Sequence, residues 1–308
     1  MSEQRQYLRR VNLWVVTKAG DGLDLSGLRI KFSIKKSDAQ TPNTAEIRLY
    51  NVADATAHSI RHEFTRVVLQ AGYESHYGVI FDGNIIKVRV GRENGTDGYL
   101  DIAAGDGDQA YNYAIVNHTL AAGATQGDQL GVSLGAMAGQ GAGAGSLADT
   151  GTAKLPRGKA LYGMARDYLR HSARAADASW SIQDGKVQLV PLTGLRPSQV
   201  VVLTSKTGLV GTPEQTDGGI KARCLLNPLL VIGGQVQINE QDIAEAALPD
   251  TTKKETVNDP VTIEHDGLYR LLLVEHTGDS RGAEWYSDLV CLGVDATQPP
   301  AKKVKRNG

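Results

Sequence analysis

Gly131-Val132-Ser133-Leu134-Gly135 carries the G-x-S-x-G spacing of a serine nucleophile. In a hydrolase that serine stands on a strained strand-to-helix turn, with an acid and then a histidine later in the chain. Asp266 and His276 are the nominal partners, but so are many other pairs. The preceding Gly127-Asp128-Gln129-Leu130 is no buried strand, and poor helix formers follow. The expectation is therefore a chance match in a glycine-rich loop. A cell-wall hydrolase or esterase using Ser133 stays as the enzymatic alternative.

Other constellations are weaker. His58 and His62 are four apart on a predicted helix, and His76 could join them as a metal ligand. Ser59 occupies the position where a zinc protease would carry its glutamate, so two solvent-facing histidines are expected. Gly105-Asp106-Gly107-Asp108 begins like a calcium loop, but Asn117 stands where the last bidentate glutamate belongs. A polar turn after a strand over 100–104 fits better. Gly141-Ala142-Gly143-Ala144-Gly145 lacks the Lys-Ser/Thr of a phosphate loop. His276, Asp279, Arg281 and Glu284 cluster on a late hairpin, where acid–base work would need a cleft and shifted pKa values. A partner contact or plain surface fits a loop tip better. These residues call for no catalytic centre, cofactor or metal.

The elements around them read as mainly β. Val11, Leu13 and Val15 alternate with polar or wet positions, as do Ile30, Phe32 and Ile34, then Ala45, Ile47 and Leu49, then Ile86, Val88 and Val90. A period of two means one buried face and one wet face. Residues 91–98 include Asn94-Gly95 and read as a hairpin tip. One helix is expected from Asp54 to Phe64, capped by Asp54, with Ile60 and Phe64 on one face. Residues 119–157 read as a glycine-rich loop or flexible insertion, because ordering glycine costs the most backbone entropy. The best helix runs over about 158–176, followed by a hairpin turning at Asp184-Gly185. Strands return over 200–203, 222–226, 229–232, 235–238, 268–276 and 283–292. Residues 242–259 read as a helical turn and loop, and 298–308 as a basic tail.

Global properties point the same way. A length of 308 residues suggests two or three domains. The net charge of −1 gives no overall pull toward nucleic acid or membranes. No apolar leader or run of about 20 apolar residues is present, so no membrane insertion and a soluble chain made in a reducing cytoplasm are expected. Cys224 and Cys291 lie in apolar runs and are expected as buried free thiols, with a bridge between them as the alternative.

The chain resembles the baseplate hub proteins of tailed bacteriophages. The resemblance is strongest over about 219–292, at Leu225-Leu226-Asn227-Pro228, Gly233-Gly234, Gly267-Leu268-Tyr269-Arg270 and His276-Thr277-Gly278-Asp279 through Trp285. A weaker match covers about 28–130, at Ala45-Glu46-Ile47-Arg48-Leu49-Tyr50-Asn51, Phe81-Asp82-Gly83 and Ala104-Gly105-Asp106-Gly107-Asp108-Gln109. The resemblance implies a mainly β fold with two tube-like β-barrel domains and an α+β insertion. The implied division is 1–118 (with 195–215 as a candidate addition), 119–194, 216–297 and the tail 298–308. It implies a homotrimer whose six similar domains adapt a sixfold tail tube protein to a threefold spike protein, with tape-measure protein and DNA passing through the lumen. It implies a place in the tail baseplate of a virion, and no enzyme. The tips 91–98 and 277–282 become candidate contacts, with Asn94, Asp97, Asp279, Arg281, Glu284 and Trp285 as candidate residues. Another tail-tip or secretion-spike component is the alternative in the same class.

Overall fold

The computed structural model describes residues 8–93, 95, 97–216, 219–239 and 267–293. Asn94, Asp266, the segment 242–259 and the tail 298–308 lie outside them. The molecule is mainly β, with a small α+β insertion.

The first part contains β1 (Arg9–Thr17), β2 (Gly22–Asp24), β3 (Arg29–Ser37), β4 (Thr44–Tyr50), α1 (Asp54–His62), β5 (Phe64–Tyr73), β6 (His76–Glu93) and β7 (Asp97–Gly105). Hydrogen-bonded neighbours run β2-β1-β5-β6-β7-β4-β3, all antiparallel. The alternating residues decide which face is buried. Leu13, Val15, Ile30, Phe32, Ile34, Ile47 and Leu49 share one core. The helix α1 is shorter than expected. Ala53 holds the N-cap position without a side-chain bond, and Asp54 is the first helical residue. There its carboxylate faces the positive end of the helix dipole. Phe64 opens β5 instead of extending the helix, because strand pairing with β1 captures it at Thr17.

The insertion contains α2 (Asp108–Tyr113), β8 (Ile115–Leu120), α3 (Gln126–Ala138), β9 (Gly143–Leu147), β10 (Lys159–Met164), α4 (Ala165–Ala175), β11 (Ala178–Gln183) and β12 (Lys186–Pro191). The expected glycine-rich loop is instead largely ordered as α3 and β9. Thr125 and Asp128 form a capping box that satisfies the first free N–H groups. Leu130 and Met137 then bury against Leu169 and Ala173 of α4. Capping and burial together outweigh the entropy cost of the glycines. The helix expected over 158–176 loses its first turns to β10, which pairs antiparallel with β8. The Asp184-Gly185 turn joins β11 to β12, with φ of 54° and 72°. Two positive φ values match the twist of a tight hairpin.

The last part contains β13 (Val201–Leu203), β14 (Leu209–Thr216), β15 (Gly219–Leu225), β16 (Gln235–Ile238), β17 (Leu268–Asp279) and β18 (Trp285–Gly293). The strand β14 was not expected, and 229–232 is turn rather than strand. Leu230 and Ile232 are nevertheless buried, which is what their apolarity registered. This part has its own core around Ile220, Cys224, Tyr269, Leu271 and Leu289. Cys224 and Cys291 are free and buried. Burial pushes the Cys224 thiol up to about 12 and Cys291 higher still.

One strand joins the two β parts. β17 pairs with β16 through 268–270 and with β3 through 273–279. On its other edge it pairs with β18, with a bulge between Leu271 and Leu273. The sheet therefore runs without a break from β14 to β2.

Candidate functional site

Each candidate chemical group has a structural position. Ser133 is fully buried inside α3, and its Oγ donates to the Gln129 carbonyl at 3.0 Å. A mid-helix hydroxyl bonded to its own backbone has neither the exposure nor the turn that a nucleophile needs. His58 and His62 lie side by side on α1, with ring centroids 4.5 Å apart and planes tilted at 47°. Among the described residues no group of three or more His, Cys, Asp or Glu side chains is placed to hold a metal.

His276 is buried on β17, and its Nδ1 lies 2.8 Å from the Ser287 Oγ on β18. Burial holds its pKa down to about 3, with Lys36 adding to the effect. The ring is neutral at ordinary pH and ties two strands together. It does not share a cleft with Asp279, which lies at the strand's end.

Asp106 lies in the expected turn after the strand, and its carboxylate has a structural role there. It is buried, and it accepts from the backbone N–H groups of Asp184 at 2.6 Å and Gly185 at 2.8 Å. Asn43 donates to the Ile182 carbonyl and to Gln183 Oε1, both at 2.9 Å. Gln183 donates to the Ser37 carbonyl at 2.7 Å, and Lys36 pairs with Asp184 at 2.6 Å. These bonds fasten the β11–β12 hairpin of the insertion to the main sheet. Gly107 is required beside it: φ is 64°, and a Cβ there would lie 2.7 Å from Ile182. Burial raises the Asp106 pKa to about 6, opposed by its two backbone donors.

The two expected hairpin tips come together at one end of the sheet. Asp97, from the first tip, and Arg281, from the second, line one cavity of about 330 Å³ with Arg29, Tyr50 and Asn51. Asp97, Arg281 and Glu284 are exposed. Glu284 pairs with Lys31 at 3.4 Å. Asp279 is buried by a two-pronged bond from Arg29, at 2.7 and 3.2 Å, which holds its carboxyl below the usual range. Trp285 requires a correction. It is expected as a partner contact, with burial in the second β unit as the alternative. It is instead fully buried in the first core, edge-on to Phe32. An indole of that area is drawn inward across Gly278 of β17, which lies between Trp285 and Phe32 in the sheet.

Sequence reasoning missed the partners that build this end of the sheet. Arg29 meets Asp279 across 250 residues of chain. Arg48–Asp101 and Arg223–Asp288 are made in the same two-pronged manner across strands. Nothing local in a strand marks such a pair. Only the register brings the two residues together.

With the geometry established, the comparisons identify the fold. No family model matches the sequence, and no curated protein does. Solved structures do match. The 43 kDa tail protein of prophage MuSo2 from Shewanella oneidensis superposes with a TM-score of 0.58 at 7% identity, over 96% of this chain and 99% of that one. A tail protein from Neisseria meningitidis MC58 gives 0.59 at 10% identity, again over 96% and 99%. The E. coli c3393 protein is a component of the type VI secretion system described as similar to the T4 bacteriophage tail proteins gp27 and gp5. It gives 0.51 at 10% identity, over 86% of this chain and 73% of that one. The chain has the fold of phage tail proteins.

Proposed function

We propose that the chain is a structural hub in a phage tail or tail-like machine. The observation that carries this reading is the likeness to two tail proteins over nearly the full length of all three chains. The arrangement of candidate residues agrees with it. Ser133 is sealed in a helix, His276 ties two strands, and Asp106 fastens a hairpin. These groups serve the architecture, and the reading is of a protein that assembles rather than one that turns over a substrate.

In this reading three copies close into a ring, and each copy contributes two tube-like β units. The first unit is 1–118, with 195–215 as a candidate addition. The second is 216–297, and 119–194 sits between them as the insertion. β17 pairs with β3 at the junction, which stiffens one unit against the other. Six similar units meet a sixfold tail tube protein on one side, and the threefold ring meets a spike protein on the other. Tape-measure protein and DNA pass through the lumen. The end of the sheet carrying Asp97, Arg281 and Glu284 is the contact surface, and the assembly sits in the tail baseplate of a virion.

The test is co-expression with candidate tail tube and spike proteins from the same genome. Co-purification of a complex holding three copies of the chain supports the hub. Co-purification with other tail-tip or secretion components alone favours the neighbouring reading, to which the similarity with a type VI secretion component belongs.

A further inference from the structure

Among the described residues, the sheet has an open edge whose arginines make no ion pair. β2 covers β1 only from Trp14 to Val16. Leu13 still has its outward groups used: its N–H donates to Ser26 Oγ at 3.0 Å, and its carbonyl accepts from Leu25 at 2.8 Å. Val11 and Arg9 have the same parity as Leu13 in the ladder with β5. In an antiparallel ladder that parity sends their N–H and C=O groups to the same outer edge. Among the described residues no backbone hydrogen bond reaches those of Val11. A groove of about 300 Å³ lies against this edge, bordered by Arg9, Arg10, Asn12, Ser26, Gly27 and Arg281.

The charge around the groove is one-sided. Elsewhere on this sheet Arg29, Arg48, Arg66 and Arg223 each face an aspartate, at 2.5–2.7 Å. Arg9, Arg10 and Arg281 make no ion pair among the described residues. Other contacts hold them in place. Arg9 lies over Trp285 and donates to the Gly282 and Ala283 carbonyls at 2.7 and 3.0 Å. Arg10 lies over Tyr77, and Arg281 donates to the Gly27 carbonyl at 3.3 Å. The nearby carboxylates are engaged or to one side. Asp24 accepts from Ser26, Asp279 from Arg29, Glu284 faces Lys31, and Asp97 lines the adjoining cavity.

We infer that this edge takes an extended acidic segment of a partner protein as a short added strand, an inference that rests on the assembly reading above. The backbone of Val11 supplies the strand pairing, and the three guanidinium groups supply the selection for carboxylates. The open stretch of β1 fits about two rungs of ladder, so the segment is about four to five residues long.

The probe is a fluorescein-labelled peptide of alternating Val and Glu, followed by anisotropy against the full chain. Its controls are a Val/Lys peptide and a 20-nucleotide single-stranded DNA. The acidic peptide binds, added salt weakens it, and the basic peptide does not bind. Arg10→Glu with Arg281→Glu lowers affinity at least tenfold while the circular dichroism and melting temperature hold. Val11→Pro removes the outward N–H at an edge position that tolerates proline, and lowers affinity similarly. No binding of the acidic peptide by folded protein overturns the inference, as does DNA binding equally well through the same arginines. Unchanged affinity in folded Val11→Pro overturns the strand pairing. Should Val11→Pro fail to fold, the arginine reversal decides the matter alone. Native mass on the same sample separates this from the hub reading. A trimer that ignores the peptide sinks only this inference, and a chain that binds it yet stays monomeric with tube and spike proteins present sinks only the trimer.

Discussion

Trp285 stands edge-on to Phe32 with ring centroids 5.5 Å apart and planes at 73°. The two residues lie 253 positions apart in the chain, and β17 lies between their strands in the sheet. Gly278 makes the contact fit: a Cβ there would lie 2.3 Å from Phe32 and 2.9 Å from Trp285. The relationship couples the two β parts, and it sets the first expected outcome. Trp285→Ala leaves a cavity at the junction and costs about 3–5 kcal/mol, read as a fall in urea midpoint. A loss below about 1 kcal/mol would contradict the burial described.

His276 gives the fold an acid limit. Its pKa is about 3 when folded, against about 6.5 for a free histidine. The folded state therefore binds fewer protons than the unfolded chain. The stability this neutral ring contributes is complete above pH about 6.5 and is lost as pH falls toward 3. His276→Gln should flatten the profile of unfolding free energy between pH 4 and pH 7. Parallel profiles for the two proteins would show that His276 titrates alike in both states.

Asp106 acts in the opposite sense. Its folded pKa, about 6, lies above its unfolded value of 3.8. Its contribution is complete below pH about 4 and is lost as pH rises through 6. Asp106→Asn stays neutral throughout, so wild type should lose ground to it between pH 4 and pH 7.5, on the order of 3 kcal/mol. Hydrogen exchange should place the change in the β11–β12 hairpin that Asp106 holds. A constant difference across that range would contradict the burial-driven shift.

Most strands announced themselves through period-two alternation, because one face lies on a core. Ile86, Val88 and Val90 did not: at and past the bulge between Ile85 and Lys87, Ile86 and Val90 are exposed. Leu13 and Val15, or Ile30, Phe32 and Ile34, are legible one strand at a time. The insertion was misread where propensity and context disagreed. Gly131 and Gly135 argue against a helix, but the Thr125–Asp128 box and the burial of Leu130 and Met137 decide for one. In 158–164 the helical pattern was real, but pairing with β8 took the segment. The candidate surface was half legible. Arg281 lies in the turn between β17 and β18 and Asp97 opens β7 beside the first turn, yet their meeting at one cavity depends on a fold that no local pattern encodes. Trp285 was misplaced for the same reason, since alternation gives a buried side but not which core lies beneath it.

The trimeric ring is the central claim, and native molar mass by light scattering over a concentration series tests it most directly. The account predicts a species near three times 32.9 kDa for the chain alone, or, on addition of the tail tube and spike proteins, a heavier complex holding three copies of the chain. A chain that stays monomeric with both partners present would contradict it.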